Sequence, residues 1–125
     1  MRTVLRLLVG IVGLLCLLIA LAVWANPAGP AAKFGLDLIG GLGRASMRAD
    51  FAGFFAGAGI LALAAALRRD ARLLTAPLLL VCVALAGRVL TAGMDGFTTD
   101  MAAPMAVETV LIVVLGVGRR LIGVR

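Results

Sequence analysis

Residues 4–24 read VLRLLVGIVGLLCLLIALAVW, twenty-one positions with Arg6 as the only charge. A hydrocarbon layer of about 30 Å is crossed by roughly 20 apolar residues in a helix, so this stretch alone spans a bilayer. Three more segments of the kind follow, at about residues 47–67, 73–91 and 104–121. The breakers NPAGP, RRDAR and GMDGFTTD separate them. Pro104 suits a helix N-terminus, where its missing N–H is not needed, and Pro77 falls early enough in the third segment for the same tolerance. The expected fold is all-α: a single domain forming a four-helix transmembrane bundle.

Composition closes off the soluble alternative. Mean hydropathy is +1.17 and only 14% of residues are charged, against about a quarter in soluble domains, so no soluble core of this length could hide the apolar surface. The net charge of +6 raises a nucleic-acid reading, but the arginines gather at the ends of the apolar segments. There they act as topology signals and contacts for anionic lipid head groups, so the expected partner is the bilayer and not nucleic acid.

Charge also sets the expected orientation. One side holds Arg2, Arg6, Arg68, Arg69, Asp70, Arg72, Arg119, Arg120 and Arg125, a balance of +7. The other holds Lys33, Asp37, Arg44, Arg48, Asp50, Arg88, Asp95, Asp100 and Glu108, a balance of −1. The excess of Lys and Arg in cytoplasmic loops then puts both termini in the cytoplasm of a bacterial inner membrane, with Trp24 at the outer interface. A rival reading makes the first segment a cleaved signal peptide. Its apolar run is longer than the 7–15 residues of such peptides, and Leu15 is too large to precede a lipoprotein cysteine at Cys16.

Between the first two spans, residues 31–42 read either as a short helix on the outer surface or as a loop dipping toward the bundle, with GGLG at 40–43 as a flexible joint. The second span is rich in small residues. Gly53 and Gly57 form a GxxxG pair, which permits the close backbone approach that drives helix association in lipid. Two uses are open: packing within the chain, with the second helix central, or a homodimer face. Gly10, Gly13 and Gly87 are the expected facing positions on the first and third helices. Cys16 and Cys82 both fall near mid-bilayer, as small hydrophobes or, less simply, as a redox pair.

Chemistry has few residues to work with. Histidine and tyrosine are absent and Ser46 is the only serine, so neither a histidine metal site nor a Ser/His triad can be built in one chain. No cofactor and no catalysis are expected. What remains is a polar cluster: Arg48 and Asp50 at the outer start of the second helix, Arg88 near the outer end of the third, Glu108 one turn into the fourth, and Asp95 in the loop above. Ionisable residues in a span are costly and normally turn inward and pair. Glu108 is the expected partner of Arg88, and Arg48 is expected to find an anion on another element. The principal reading is a structural ion-pair network. The alternatives are a pocket in which the arginines hold an anionic lipid, a fatty acid or another lipophilic molecule, proton or ion movement through Glu108, and a small transporter subunit.

The order of RADFAGFFAGAGI opening the second helix, GRVLTAGMDG ending the third and a glutamate early in the fourth resembles a known family. These are small bacterial four-helix membrane proteins catalogued as domain of unknown function 4345. The resemblance covers most of the chain after the first helix and is weakest in residues 26–47. It implies that Arg48, Gly53, Gly87, Arg88, Asp95, Gly96 and Glu108 are pattern positions, and it implies topology without an activity. If the first segment is a retained span, mass spectrometry of the purified protein will recover the intact amino-terminal peptide; a chain starting near residue 26 would show cleavage.

Overall fold

The computed structural model describes residues 1–122; Arg125, counted above among the basic residues, lies outside the described residues. Six α-helices follow one another: α1 (Arg2–Ala25), α2 (Ala28–Lys33), α3 (Gly40–Ser46), α4 (Ala52–Arg68), α5 (Thr75–Met94) and α6 (Ala102–Leu121). A π-helical turn, Met47–Phe51, joins α3 to α4 without a break, and 3-10 turns at Ala71–Leu74 and Thr99–Met101 lead into α5 and α6. No strand occurs among the described residues. Four continuous stretches, Arg2–Ala25, Gly40–Arg68, Ala71–Met94 and Thr99–Leu121, are long and apolar enough to cross a membrane.

The second of these starts seven residues earlier than the sequence pattern indicated. GGLG is the opening turn of α3, with Gly40 at φ 61° supplying the left-handed bend that starts it, and not a flexible joint. Glycine costs about 1 kcal/mol against alanine inside a helix in water. Away from water the balance changes, because a helix is how a single segment pairs its own backbone polar groups. Ile39 and Leu42, 84% and 80% exposed, put apolar surface on this extension.

Burial on α1 sorts its residues by size. Leu5, Val9, Gly13, Ala20 and Val23 face inward, while Val4, Leu7, Leu8, Ile11, Leu14, Leu15, Leu18 and Leu21 face out. The outward face is thus the bulkier and more oily one. A helix that is hydrophobic all round suits a membrane span or a deep core, and this one is not deep.

The helices run up and down, so the start of α1, the last turn of α6 and the α4–α5 turn share one end, called here the terminal end, and residues 26–39 and 95–101 share the other. At the terminal end Leu5, Val9, Ala62, Ala65, Ala66, Leu74, Val81, Leu115 and Ile122 form one core drawn from all four long stretches. At the loop end Ala20, Val23, Ala31, Met47, Ala52 and Ala56 form a second core without α5 or α6. Ala31 of α2 and the half-buried Leu38 close this second core from above, which combines the two readings of residues 31–42. Phe34, Phe51 and Phe55 gather beside it, with ring centroids 5.6–5.9 Å from Phe34.

Helix packing corrects the sequence reading. A Cβ placed on Gly13 would lie 2.7 Å from the Leu63 nitrogen and 2.9 Å from the Gly59 carbonyl oxygen; one on Gly59 would lie 2.8 Å from the Gly13 oxygen. The backbones of α1 and α4 come into direct contact here, with the Leu17 side chain packed against Gly59. Gly53, Gly57 and Gly87, the residues expected to pack, would each have a Cβ in open space. The reason is rotational: Gly59 lies two residues beyond Gly57, about 200° around the helix, so the two point in nearly opposite directions. Of the two uses weighed for the GxxxG pair, packing within the chain is the one these positions do not serve. The stretch containing α4 is nevertheless the most buried of the four, as expected of a central helix; α4 packs chiefly on α1 and less extensively on α5, which pairs with α6. The second close approach is at Gly118, where a Cβ would lie 2.9 Å from Val9 Cγ2. Cys16 and Cys82 are both free thiols.

The turn at the terminal end is tight. Arg69 takes the left-handed conformation (φ 58°) that ends α4, the Asp70 N–H donates to the Ala65 carbonyl at 3.3 Å, and Asp70 Oδ1 accepts from the Arg72 N–H at 2.9 Å. The packing yields a direct contrast. Gly13→Ala and Gly59→Ala should each lose about 1–3 kcal/mol by forcing backbones apart, whereas Gly53→Ala and Gly57→Ala should hold or raise stability. Thermal unfolding of the four variants in one detergent measures the difference.

Candidate functional site

Arg88 sits six residues before the end of α5 and Glu108 six residues after the start of α6. At about 1.5 Å per residue both lie roughly 9 Å below the loop end, and in an antiparallel pair equal depth means adjacency. Arg88 Nε donates to Glu108 Oε1 at 2.8 Å, the only salt bridge among the described residues. The Glu108 side chain is 13% exposed and that of Arg88 35%. The contact uses only one edge of each group. Glu108 Oε2 is buried without a hydrogen-bond partner among the described residues. The two Nη groups of Arg88 likewise donate to none of them. The nearby threonines bond back within their own helices, Thr91 Oγ1 to the Gly87 carbonyl at 3.0 Å and Thr109 Oγ1 to the Met105 carbonyl at 2.8 Å.

Arg48 has a different partner from the one expected. Its Nε donates to the Trp24 carbonyl at 3.0 Å, and Trp24 Nε1 donates in return to the Arg48 carbonyl at 3.1 Å. No carboxylate takes part. The last carbonyls of a helix have no acceptor role inside it and carry the negative end of its dipole, so the C-terminus of α1 supplies the partial charge that an anion was expected to supply. The π turn carrying Arg48 packs on α1 and α3. Asp50 and Asp95 are exposed, and neither carboxylate has a hydrogen bond or ion pair among the described residues. The five-residue cluster therefore resolves into one ion pair on α5–α6, one two-way strap between Trp24 and Arg48, and two exposed acids.

A matching strap at the terminal end has no counterpart in the sequence reading. Arg6 Nε donates to the Ala66 carbonyl in the last turn of α4 at 3.1 Å. The arginine near the start of each helix thus reaches a carbonyl at the end of the other. The signal was present in the chain, since Arg6 is the only charge inside the first apolar segment. Across the other hairpin Arg119 Nε donates to Thr75 Oγ1 at 2.9 Å. The aromatic group of Phe34, Phe51, Phe54 and Phe55 was also unanticipated, although FAGFF displays three of its members.

What the site can do chemically follows from its unused valences. Arg6, Arg48 and Arg88 each bond through Nε alone among the described residues; what sets the Arg88–Glu108 pair apart is a buried carboxylate oxygen, Glu108 Oε2, that has no partner among them. Comparison with protein-family models, curated proteins and solved structures finds no match to the chain.

The Trp24–Arg48 strap can be weighed alone. Trp24→Phe deletes the indole N–H and leaves the Arg48 carbonyl without its donor, an expected loss of about 1 kcal/mol. Denaturation followed by far-UV circular dichroism reads this out, and an unchanged midpoint would mean that solvent or lipid replaces the bond at no cost.

Proposed function

We propose that the chain is a non-enzymatic multi-pass protein of the bacterial cytoplasmic membrane, with both termini in the cytoplasm and with charges inside its spans that serve mainly to join helices. Support for the membrane setting comes from four stretches of 23–29 residues with oily outward faces. Support for the orientation is the arginine excess at the terminal end. Outward-facing hydrocarbon and end-clustered arginines make the bilayer, with its anionic head groups, the natural partner, and not nucleic acid. Gly53 and Gly57, open on the outside of α4, leave room for a second copy.

The observation that carries the structural role is the 2.8 Å contact from Arg88 to Glu108. It lies at the loop end, where α5 and α6 share no core with α1 and α4, so the pair holds the hairpin where apolar packing is thinnest. Arg48 and Arg6 play the same part for α1 and α4.

A second reading has an observation of its own. Glu108 Oε2 and the Arg88 Nη groups are hydrogen-bonding atoms with no partner among the described residues, and a lipophilic molecule with a polar head would complete them. In this reading the same pair is a binding site within the bilayer, approached from the side on which Arg88 is exposed.

The two readings separate on one variant. Arg88→Ala leaves a buried carboxylate unpartnered and should lower stability by about 1–3 kcal/mol in any detergent. A structural pair loses this amount whatever is added. A binding site also shows, in the unmodified protein, a rise in unfolding temperature on adding a polar-headed amphiphile, and loses that rise in the variant. Unfolding temperatures with and without added amphiphile check both.

A further inference from the structure

Arg88 and Glu108 neutralise each other, and this restricts what their remaining valences can accept. The guanidinium commits Nε to Glu108 Oε1 and leaves its Nη groups free on a side chain that is 35% exposed. The second oxygen of the same carboxylate, Glu108 Oε2, is a buried acceptor without a donor among the described residues. A head group placed here meets donors on the open side and an acceptor within.

Two kinds of head group fit the donors. A carboxylate or phosphate would fork onto the Nη groups, but with Glu108 already present the site would then hold at least one net negative charge. Roughly 9 Å below the helix ends, among apolar side chains, an uncompensated charge is strongly disfavoured. An uncharged head group that both accepts and donates adds no net charge. Its oxygen takes the Nη hydrogens, and its own O–H or N–H is what Oε2 lacks. Because Oε2 is buried, the Glu108 carboxylate must turn about its terminal torsion to meet the head group, a soft rotation for an sp³–sp² bond that also shifts Oε1 against Arg88.

Resting on the binding reading above, we infer that the Arg88–Glu108 pair selects an amphiphile with an uncharged hydrogen-bonding head, such as an alcohol, a primary amide or a protonated carboxylic acid, over its anionic counterpart. The expectation of an anionic ligand treated Arg88 as a lone cation. With Glu108 2.8 Å away, it is half of a neutral pair.

The test uses the full chain in nanodiscs of zwitterionic phosphatidylcholine, with radiolabelled 1-tetradecanol and tetradecyl phosphate as probes of equal chain length. Binding is counted above protein-free nanodiscs. The unmodified protein should hold 1-tetradecanol about tenfold more tightly than tetradecyl phosphate. Glu108→Gln keeps an acceptor for Arg88 and removes the charge, so it should reverse that order; Glu108→Asp keeps the charge and should preserve it. Preference of the unmodified protein for tetradecyl phosphate, or an order that Glu108→Gln leaves unchanged, overturns the inference while binding itself stands. If neither probe binds above protein-free nanodiscs, the binding reading falls with it. Should Glu108→Gln fail to fold, the unmodified protein and Glu108→Asp still decide: both must favour the alcohol.

Discussion

The backbones of α1 and α4 touch at Gly13 and Gly59, and this crossing fixes the placement of nearly everything else. Where the surroundings are as apolar as the side chains, helices gain little by hiding leucine from solvent, and close backbone approach becomes the main source of attraction. Two glycines at one level set both the distance and the register of the pair. Once they meet, Arg6 falls beside the last turn of α4 and Arg48 beside the last turn of α1. The straps are thus consequences of the crossing as much as contributors to it. Each disposes of two problems together, a guanidinium inside an apolar setting and a helix-end carbonyl without a donor.

The second hairpin is built on a different principle. Gly118 lets α6 come close to Val9, and Leu74, fully buried, fills the space beside it, so α5 and α6 are fastened to the first pair near the terminal end. Toward the loop end they share no core with α1 and α4, and one ion pair takes over. Ion pairs are directional and leave atoms over when they are monodentate, which small-residue packing does not. Hence the one buried side-chain acceptor without a partner among the described residues, Glu108 Oε2, lies on α6 beside the guanidinium of Arg88. That is the physical reason to look for a ligand there and not at the aromatic group by Phe34, whose rings already fill one another's space.

Neutrality is the other property of the pair that pairwise reasoning from a sequence misses. An arginine in an apolar segment suggests an anion as long as it is considered alone. Paired with Glu108 it becomes a dipole with spare donors and a spare acceptor, and it favours a partner of the same kind. Arg48 gives a parallel lesson, because the counter-group it meets is a helix terminus, which never appears as a charged letter in a sequence.

The amino-acid sequence by itself determined the helical class, the number of long apolar stretches and the residues at which they turn, since each follows from local runs of apolar letters and breakers. It also brought Arg88 and Glu108 to the same level, because a short connection between antiparallel helices makes depth a matter of counting. Facing was legible only in part: Gly13 was an expected contact on the first helix and is one, but its counterpart on the second was not. In α4 glycine or alanine occupies every side, so Gly53, Gly57 and Gly59 were equivalent until rotation about the helix axis chose Gly59. The same holds for Arg48 and for the start of α3: a backbone carbonyl as partner and a helix running through GGLG depend on which surfaces meet. Tertiary structure decided these points, because contact between helices is fixed by rotation and register, and a run of small or oily residues encodes neither.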